Sequence, residues 1–339
     1  MTPTGLLKYT AALVTLAIWT ACSGGSAVAP SNAASNLQYI GQTAFVNGRP
    51  VTAARPNLSA VPRYATILPD GHRRSNKRFE YVINSYGSFA GIFDYPKGVN
   101  QVGTISDVGG QGCTNVLYGY GKKVIWIVAA YNQITEYRVP QKPLKTLAVL
   151  DGSMPSSCAM NTNGDLAVGI LFGRSMGDID IYPNAGGTGT LIATPLESEF
   201  FDGYDDKGNL FFDGFAAGSD FQFDEIPKGS NRARTIALPN QVGFPGSVQW
   251  DGTYVTVFDQ IANKMYQYTI EGTKATLKGT IAFSGSGDCA QTWIATGVVY
   301  CGDAFNDDGE VFKYPAGGSP IAIFTGSFAE PLGTVAAER

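Results

Sequence analysis

Near the end of the chain lies the stretch Phe312-Lys313-Tyr314-Pro315-Ala316-Gly317-Gly318, and variants of it recur along the sequence. In each copy a run of β-forming residues ends in a proline or its equivalent, and a turn follows in most copies. The anchors, with an isoleucine standing in for one lost proline, are Pro96, Pro140, Pro183, Pro227, Ile270 and Pro315. They are separated by 44, 43, 44, 43 and 45 residues. A period this steady, in units built of strands, is typical of the blades of a β-propeller.

Each repeat contains four candidate strands. In the fourth repeat these are residues 201–204, 210–214, 221–226 and 234–238, separated by polar turns that contain Gly, Asn and Asp. Such turns between β-branched and aromatic runs predict antiparallel hairpins. The sequence therefore predicts an all-β fold, a six-bladed β-propeller with four-stranded blades, over residues 79–339.

The two ends of the repeat region predict how the ring closes. Residues 79–106 provide only three strands for the first blade, whereas the strand-like stretch 331–336 follows the last strand of the sixth blade. The spare strand at one end fits the missing strand at the other. We therefore expect residues 332–336 to complete the first blade, because closure removes the sheet edges that an open array would expose.

The N-terminal residues do not belong to the repeats. Lys8 and the short apolar run after it predict that residues 1–22 are an export signal, since the run is too short to span a bilayer. The small residues before Cys22 resemble the lipobox of bacterial lipoproteins, in which this cysteine is acylated; an ordinary cleaved signal is the alternative. The composition predicts a flexible tether over 23–36 and an irregular extension over 37–78.

Composition narrows the class of partner. The net charge is −4, the pI is about 5.1, and no basic stripe lies within the repeats, which argues against nucleic acid. No apolar run after the signal is long enough to span a membrane. We therefore expect an exported monomer, lipid-anchored in the bacterial cell envelope on the periplasmic or outer-surface side.

Four cysteines remain besides Cys22, and an even number in an exported chain favours disulfides. Cys113 and Cys158 occupy equivalent places in neighbouring repeats, while Cys289 and Cys301 lie in the two arms of one hairpin. Of the three possible connectivities, only 113–158 with 289–301 keeps both pairs close. Four buried free thiols are the alternative.

An aromatic residue recurs where the second strand of a repeat ends, in five of the six repeats. In a propeller those loops share one face with the starts of the inner strands, so the rings are expected around a central opening with two carboxylates nearby. This predicted ligand-binding rim consists of Tyr86, Tyr131, Phe172, Phe215, Phe305, Asp213 and Asp303. Aromatic faces suit sugars or apolar side chains. The alternative is that the rings pack between blades.

Acidic and amide side chains cluster at Asp303, Asn306, Asp307 and Asp308 in the sixth repeat. Their oxygens are the ligands that Ca²⁺ prefers. However, Asn-Asp-Asp-Gly is also an ordinary hairpin turn, and the alternating ligands of an EF-hand loop are absent. We therefore assign no metal and no cofactor from the sequence.

With this blade pattern, the chain resembles the NHL-like and streptogramin-lyase-like six-bladed propellers of bacterial envelopes over about residues 79–337. Its Tyr-Pro-Ala-Gly-Gly phrases are similar to those of exported propeller lipoproteins. Streptogramin-type lyases use a histidine as general base, and the single histidine here, His72, lies outside the repeats. No Ser/His/Asp set can be built from the ring.

Two classes of function stay open. The first is a non-catalytic, envelope-tethered propeller that binds a glycan, a peptide or a partner protein through one face. The second is a lactonase-like hydrolase or a lyase that acts at the central channel, where related lactonases hold a metal. The missing histidine and the scattered acids favour the first class, and we assign no catalytic residue.

Overall fold

A computed structural model describes residues 78–84, 89–129, 132–150, 154–172, 177–218 and 220–339. The predicted signal, tether and N-terminal extension, and with them Cys22, lie outside these residues. The described part is built of strands, with one short 3-10 helix at Pro183–Ala185.

The strands follow one another along the chain with tight connections. They are β1 (Arg78–Asn84), β2 (Phe89–Phe93), β3 (Gln101–Ser106), β4 (Val108–Thr114), β5 (Gly121–Lys122), β6 (Val124–Ala129), β7 (Gln133–Arg138), β8 (Lys142–Ala148), β9 (Met154–Met160), β10 (Leu166–Phe172), β11 (Ile179–Tyr182), β12 (Thr190–Ile192), β13 (Ser198–Tyr204), β14 (Leu210–Phe215), β15 (Phe221–Ile226), β16 (Arg234–Thr235), β17 (Val248–Trp250), β18 (Val255–Asp259), β19 (Lys264–Glu271), β20 (Lys274–Ala282), β21 (Cys289–Ala295), β22 (Val298–Asp303), β23 (Asp308–Lys313), β24 (Gly317–Phe324) and β25 (Pro331–Glu338).

Within the described ranges these strands form six sheets, and each sheet is one blade of a ring. Blades 2 to 6 are β4-β6-β7-β8, β9-β10-β11-β12, β13-β14-β15-β16, β17-β18-β19-β20 and β21-β22-β23-β24, from the inner to the outer strand. Neighbouring strands of a blade pair antiparallel. The predicted six-bladed propeller is confirmed.

Blade 1 is closed by the C-terminal strand, as predicted. β25 pairs antiparallel with β1, with Tyr81 opposite Val335, and β2 and β3 follow outward. On its other side β25 pairs parallel with the short β5, where Ala337 lies opposite Gly121. The parallel addition links blade 1 to blade 2 and is a feature that the repeat pattern does not contain.

In three blades, the tyrosine of the repeated Tyr-Pro sequence contacts the preceding blade. The hydroxyl of Tyr182 in blade 3 donates to the carbonyl oxygen of Ala148 in blade 2 at 2.8 Å. That of Tyr314 in blade 6 donates to the carboxylate of Asp251 in blade 5. Tyr95 in blade 1 packs edge-on against a tyrosine of blade 6. In these three copies the tyrosine makes a contact between blades, and Pro96, Pro140 and Pro315 follow cis peptide bonds.

Both predicted disulfides are present. Cys113 and Cys158 join the inner strands of blades 2 and 3 with a Cα–Cα distance of 5.7 Å. Cys289 and Cys301 join the first two strands of blade 6 at 5.4 Å. Both distances fall in the ordinary range for disulfides. Two structural disulfides are typical of a protein from an oxidising compartment.

The described residues contain no helix that is long and apolar enough to cross a membrane.

Candidate ligand-binding face

One face of the ring carries the connection between the second and third strands of each blade. In blade 6 the Asp303 carboxylate, at the end of β22, accepts hydrogen bonds from the N–H groups of Gly287 at 2.6 Å and Asp288 at 3.1 Å, just before β21. The end of the second strand therefore meets the start of the inner strand. We call this side, with loops 304–307 and 260–263 of blades 6 and 5, the loop face.

The side chains of three of the five predicted rim aromatics lie outside the described part of the chain. Tyr86 and Tyr131 lie outside the described residues, as does the side chain of Phe172. The backbone of Phe172 ends β10, opposite Met154 at the start of the inner strand. This position belongs to the loop face. A role of these three rings in ligand contact stays a prediction.

Phe215 belongs to a half-buried aromatic cluster between blades 4 and 5. Its ring lies 5.3 Å from that of Phe200 and 5.2 Å from that of Phe244, both edge-on, and the latter two are 5.8 Å apart. Phe200 comes from the inner strand β13, and Phe244 from the segment that leads into β17. Edge-to-face rings of this kind hold one another in place. The cluster is a packed apolar surface at the loop face.

Phe305 is the most exposed large apolar side chain in the described part of the chain, at 60 %. It lies in loop 304–307, and its N–H donates to the Asp303 carboxylate at 3.0 Å. A Cβ atom at Gly287 would lie 2.6 Å from the Cβ of Phe305, so glycine leaves room for the ring. The ring is thus held in solvent by an ordered backbone.

The order of that loop comes from Asp303, which is fully buried. Its two carboxylate oxygens accept six hydrogen bonds, from backbone and side-chain donors on both sides of the loop. The donors are Ser286 Oγ, Gly287 N, Asp288 N, Phe305 N, Asn306 N and Asn306 Nδ2. A carboxylate that accepts this many donors fixes the local backbone.

Asp213 is likewise fully buried, two residues before Phe215. Its Oδ2 accepts a hydrogen bond from the N–H of Gly246 at 3.3 Å, just ahead of β17 in blade 5. Burial, and then the charge of Glu199, raise the pKa of this carboxyl well above its ordinary value. The structure thus places Asp213 and Asp303 beneath the loop face rather than on it.

Glutamine side chains bond to the inner strands along the axis of the ring. Gln291 in β21 accepts from the N–H groups of Gly112 at 3.1 Å and Thr334 at 2.9 Å, and donates to the carbonyl of Gly112 at 2.8 Å. Gln249 accepts from the N–H of Ile294 at 2.7 Å. Inner strands turn an unpaired backbone edge toward the axis, and buried N–H and C=O groups need partners. The amides therefore take the place of a neighbouring strand.

The channel is narrowed from both sides. Gln111 in blade 2 reaches across to donate to the carbonyl of Phe200 in blade 4 at 2.8 Å. On the side opposite the loop face, the connection after β4 crosses the axis: Gly119 donates to the carbonyl of Ile294 at 2.8 Å and accepts from Trp293 Nε1 at 2.7 Å. What is left is a cavity of about 30 Å³, which is room for about two water molecules.

Asp202 lines this cavity and is 7 % exposed. Neither of its carboxylate oxygens has a hydrogen bond of acceptable geometry. Burial raises the pKa of Asp202 to about 8, although the nearby Ser157 hydroxyl opposes the rise. Ser157 instead donates to Glu199 at 2.9 Å, whose pKa is also raised, by burial and then by the charge of Asp202. Asp202 therefore holds a proton at neutral pH for much of the time.

The comparisons with known proteins concern the fold. No protein-family model and no curated protein matches the chain. Among solved structures, a chain of a nidogen/laminin complex is 11% identical with a TM-score of 0.59, covering 77% of this chain and 98% of its own. A protein of unknown function from Bacteroides caccae is 14% identical with a TM-score of 0.58, covering 78% and 99%. Virginiamycin B lyase from Staphylococcus aureus is 13% identical with a TM-score of 0.45, covering 64% and 72%. At these identities the first two likenesses concern the fold alone.

Proposed function

We propose that this chain is a non-catalytic binding propeller, exported and tethered to the cell envelope through Cys22, whose loop face binds a peptide or partner protein. The observation that carries the proposal is Phe305. Its ring is 60 % exposed on a loop whose backbone is fixed by the Asp303 carboxylate. An exposed aromatic on a pre-ordered loop loses little conformational entropy on binding, which favours affinity.

Other apolar groups extend the surface around this ring. Ile261 lies in the equivalent loop of the neighbouring blade 5 and is exposed. The half-buried rings of Phe215 and Phe244 follow at blades 4 and 5. Apolar side chains of a ligand gain free energy by covering such a surface. Rigid blades also allow these loops to serve binding without a role in the core.

The ligand class follows from where the polar groups point. Sugar recognition combines an aromatic face with carboxylates or amides that are free to bond hydroxyl groups. The two predicted carboxylates, Asp213 and Asp303, are both buried and accept hydrogen bonds from loop backbone. An apolar peptide side chain needs no such partner, so we favour a peptide or protein over a glycan.

An enzyme at the central channel receives less support. The cavity at the axis has a volume of about 30 Å³, whereas pockets for small organic ligands are typically about 300–1,000 Å³. Gln111 and the loop that contains Gly119 would both have to move before a substrate could enter. Asp202, the acid at the cavity, is therefore treated as a structural group.

The test compares two exposed apolar residues of the same blade. The full chain is screened in parallel against a random-peptide display library and a glycan array, together with Phe305→Ser and Ile321→Ser. Ile321 is 46 % exposed on the outermost strand β24, away from the loop face. We expect selected peptides to bind wild type and Ile321→Ser alike, and to bind Phe305→Ser at least about tenfold more weakly, a loss of about 1.4 kcal/mol. Peptides that bind both variants equally, or binding to glycans alone, would contradict the proposal.

A further inference from the structure

Three acidic side chains converge beside the loop face in blade 6. β22 and β23 pair so that Asp303 lies opposite Asp308 and Cys301 opposite Glu310. Since side chains two residues apart on a strand share a face, the carboxyl groups of Asp303, Asp308 and Glu310 lie on one side of the blade. One oxygen from each lies within 4.8 Å of the others.

Two of these groups carry oxygens that lack a hydrogen-bond partner. Glu310 is 2 % exposed, and its Oε2 atom is buried and accepts no hydrogen bond. The Oδ1 atom of Asp308 is in the same condition. A buried carboxylate oxygen without a partner is costly, and native folds rarely leave one. Both oxygens belong to residues of this one cluster, which indicates a missing positive partner.

From this geometry we infer that Asp308 and Glu310, together with Asp303, bind a single Ca²⁺ ion. All the candidate ligands are carboxylate oxygens, which hard divalent cations prefer, and Ca²⁺ tolerates the irregular arrangement that Mg²⁺ does not. Asp303 already accepts three hydrogen bonds at each oxygen, so Asp308 and Glu310 supply the free ligand oxygens, and the ion reaches Asp303 by taking the place of one of its donors. Asp308 is half-buried, which leaves water molecules room to complete the coordination shell.

Electrostatics in the same cluster favours a cation. Three carboxyl groups with oxygens within 4.8 Å of one another repel one another when they are ionised. A divalent ion placed between them offsets this repulsion.

The ion would support the loop that presents Phe305. Asp303 holds the N–H of Phe305, and its partner Asp308 begins the strand that follows the loop. A cation that bridges these two carboxylates joins both ends of loop 304–307. This inference is independent of the proposed ligand, because it concerns Ca²⁺ binding by the free protein.

The test is calorimetric titration of CaCl₂ into the chelator-treated full chain. We expect one site per chain with a dissociation constant on the order of 10⁻⁴ M, as in extracellular Ca²⁺ modules. Glu310→Gln and Asp308→Asn should each weaken binding at least about tenfold, because each removes one of three charged ligands. Both are nearly isosteric with the protonated acids, so we expect the variants to fold.

Asp307→Asn is the matched control. Asp307 is an exposed residue of the same loop with a φ of 55°, which asparagine tolerates, and its Oδ1 accepts from the N–H of Glu330. It carries the same charge change outside the ligand set, so we expect its affinity to stay within about threefold of wild type. No saturable heat for wild type up to about 10 mM Ca²⁺, ten times the weakest such sites, would overturn the inference. So would unchanged binding by both Glu310→Gln and Asp308→Asn.

Discussion

Gln291 bonds to both backbone groups of Gly112, a residue 179 positions away in the sequence. Its Oε1 accepts from the N–H of Gly112 at 3.1 Å, and its Nε2 donates to the carbonyl of the same residue at 2.8 Å. The amide thus pairs with the strand edge as another strand would. The same oxygen accepts from the N–H of Thr334, so one side chain joins blades 6, 1 and 2 at the axis.

The first prediction concerns this junction. Gln291→Leu keeps the approximate size of the side chain but leaves three buried backbone groups, two on Gly112 and one on Thr334, without a partner. At about 1–3 kcal/mol for each unsatisfied group, the free energy of unfolding should fall by at least about 3 kcal/mol. Urea unfolding measures the change. The control is Gln241→Leu at an exposed position, where a change within about 0.5 kcal/mol is expected. Equal stability of the two variants would show that the axial bonds are not needed.

The second prediction compares the two disulfides. Cys113–Cys158 closes a loop with a sequence separation of 45, and Cys289–Cys301 one of 12. Loop-closure entropy predicts contributions of about 4 and about 3 kcal/mol. Replacing Cys113 and Cys158 together by serine should therefore lower stability by about 1 kcal/mol more than replacing the other pair. Equilibrium unfolding measures the stability loss of the two double variants. A larger loss for the Cys289–Cys301 pair would contradict the prediction and would mean that native-state contacts outweigh loop length.

The third prediction is a pH dependence that originates at Asp202. Its pKa is raised by burial from 3.8 to about 8, so the folded protein holds this proton more tightly than the unfolded chain does. The resulting stabilisation is fully present below about pH 4 and is lost as the pH rises to about 8. Wild type should therefore become less stable across that window. Glu199 and Asp213, with pKa values raised in the same direction, add to the slope.

Asp202→Asn separates the contribution of this residue from theirs. The amide cannot ionise, so the variant should be more stable than wild type at pH 8, on the order of a few kcal/mol, and closer to it at pH 5. Glu199 and Asp213 still titrate in the variant and supply the remaining slope. Urea unfolding at a series of pH values measures both proteins. Parallel curves for wild type and Asp202→Asn would mean that Asp202 keeps its ordinary pKa in the fold.

The blade architecture could be predicted from the sequence because a contact between blades recurs at the same place in several repeats. The tyrosine before Pro183 and Pro315 bonds to the preceding blade, and the spacing of these contacts is the spacing of the blades. The same spacing places Cys113 and Cys158 at equivalent positions of neighbouring blades. A count of the strands in each repeat shows that the C-terminal strand completes the first blade. These features depend on local pattern or on equivalent positions, which one sequence contains.

The axis and much of the loop face could not be predicted in this way. Gln111, Gln249 and Gln291 differ in their partners, so no periodic signal marks them. Phe200 and Phe244 lie in or before inner strands, outside the position at which the repeats were compared. Counting from the anchors also equated Phe215, the last residue of β14, with Phe305, which lies two residues beyond the end of β22. Loops can differ in length without disturbing the strands that they join, and the exposure of a side chain depends on its exact place in the loop.

The last prediction tests whether Phe305, the exposed aromatic residue at the loop face, serves binding or packing. If Phe305 were a core residue, replacing it by alanine would cost about 3–5 kcal/mol. Its ring is 60 % exposed, so Phe305→Ala should change the free energy of unfolding by no more than about 0.5 kcal/mol. Phe312 in the same blade is the matched comparison, since it is fully buried and its ring lies 4.8 Å from that of Phe283. Phe312→Ala should show the full loss of about 3–5 kcal/mol. Equal losses for the two variants in urea unfolding would place Phe305 among the packing residues, and the binding surface would then have to lie elsewhere on the ring.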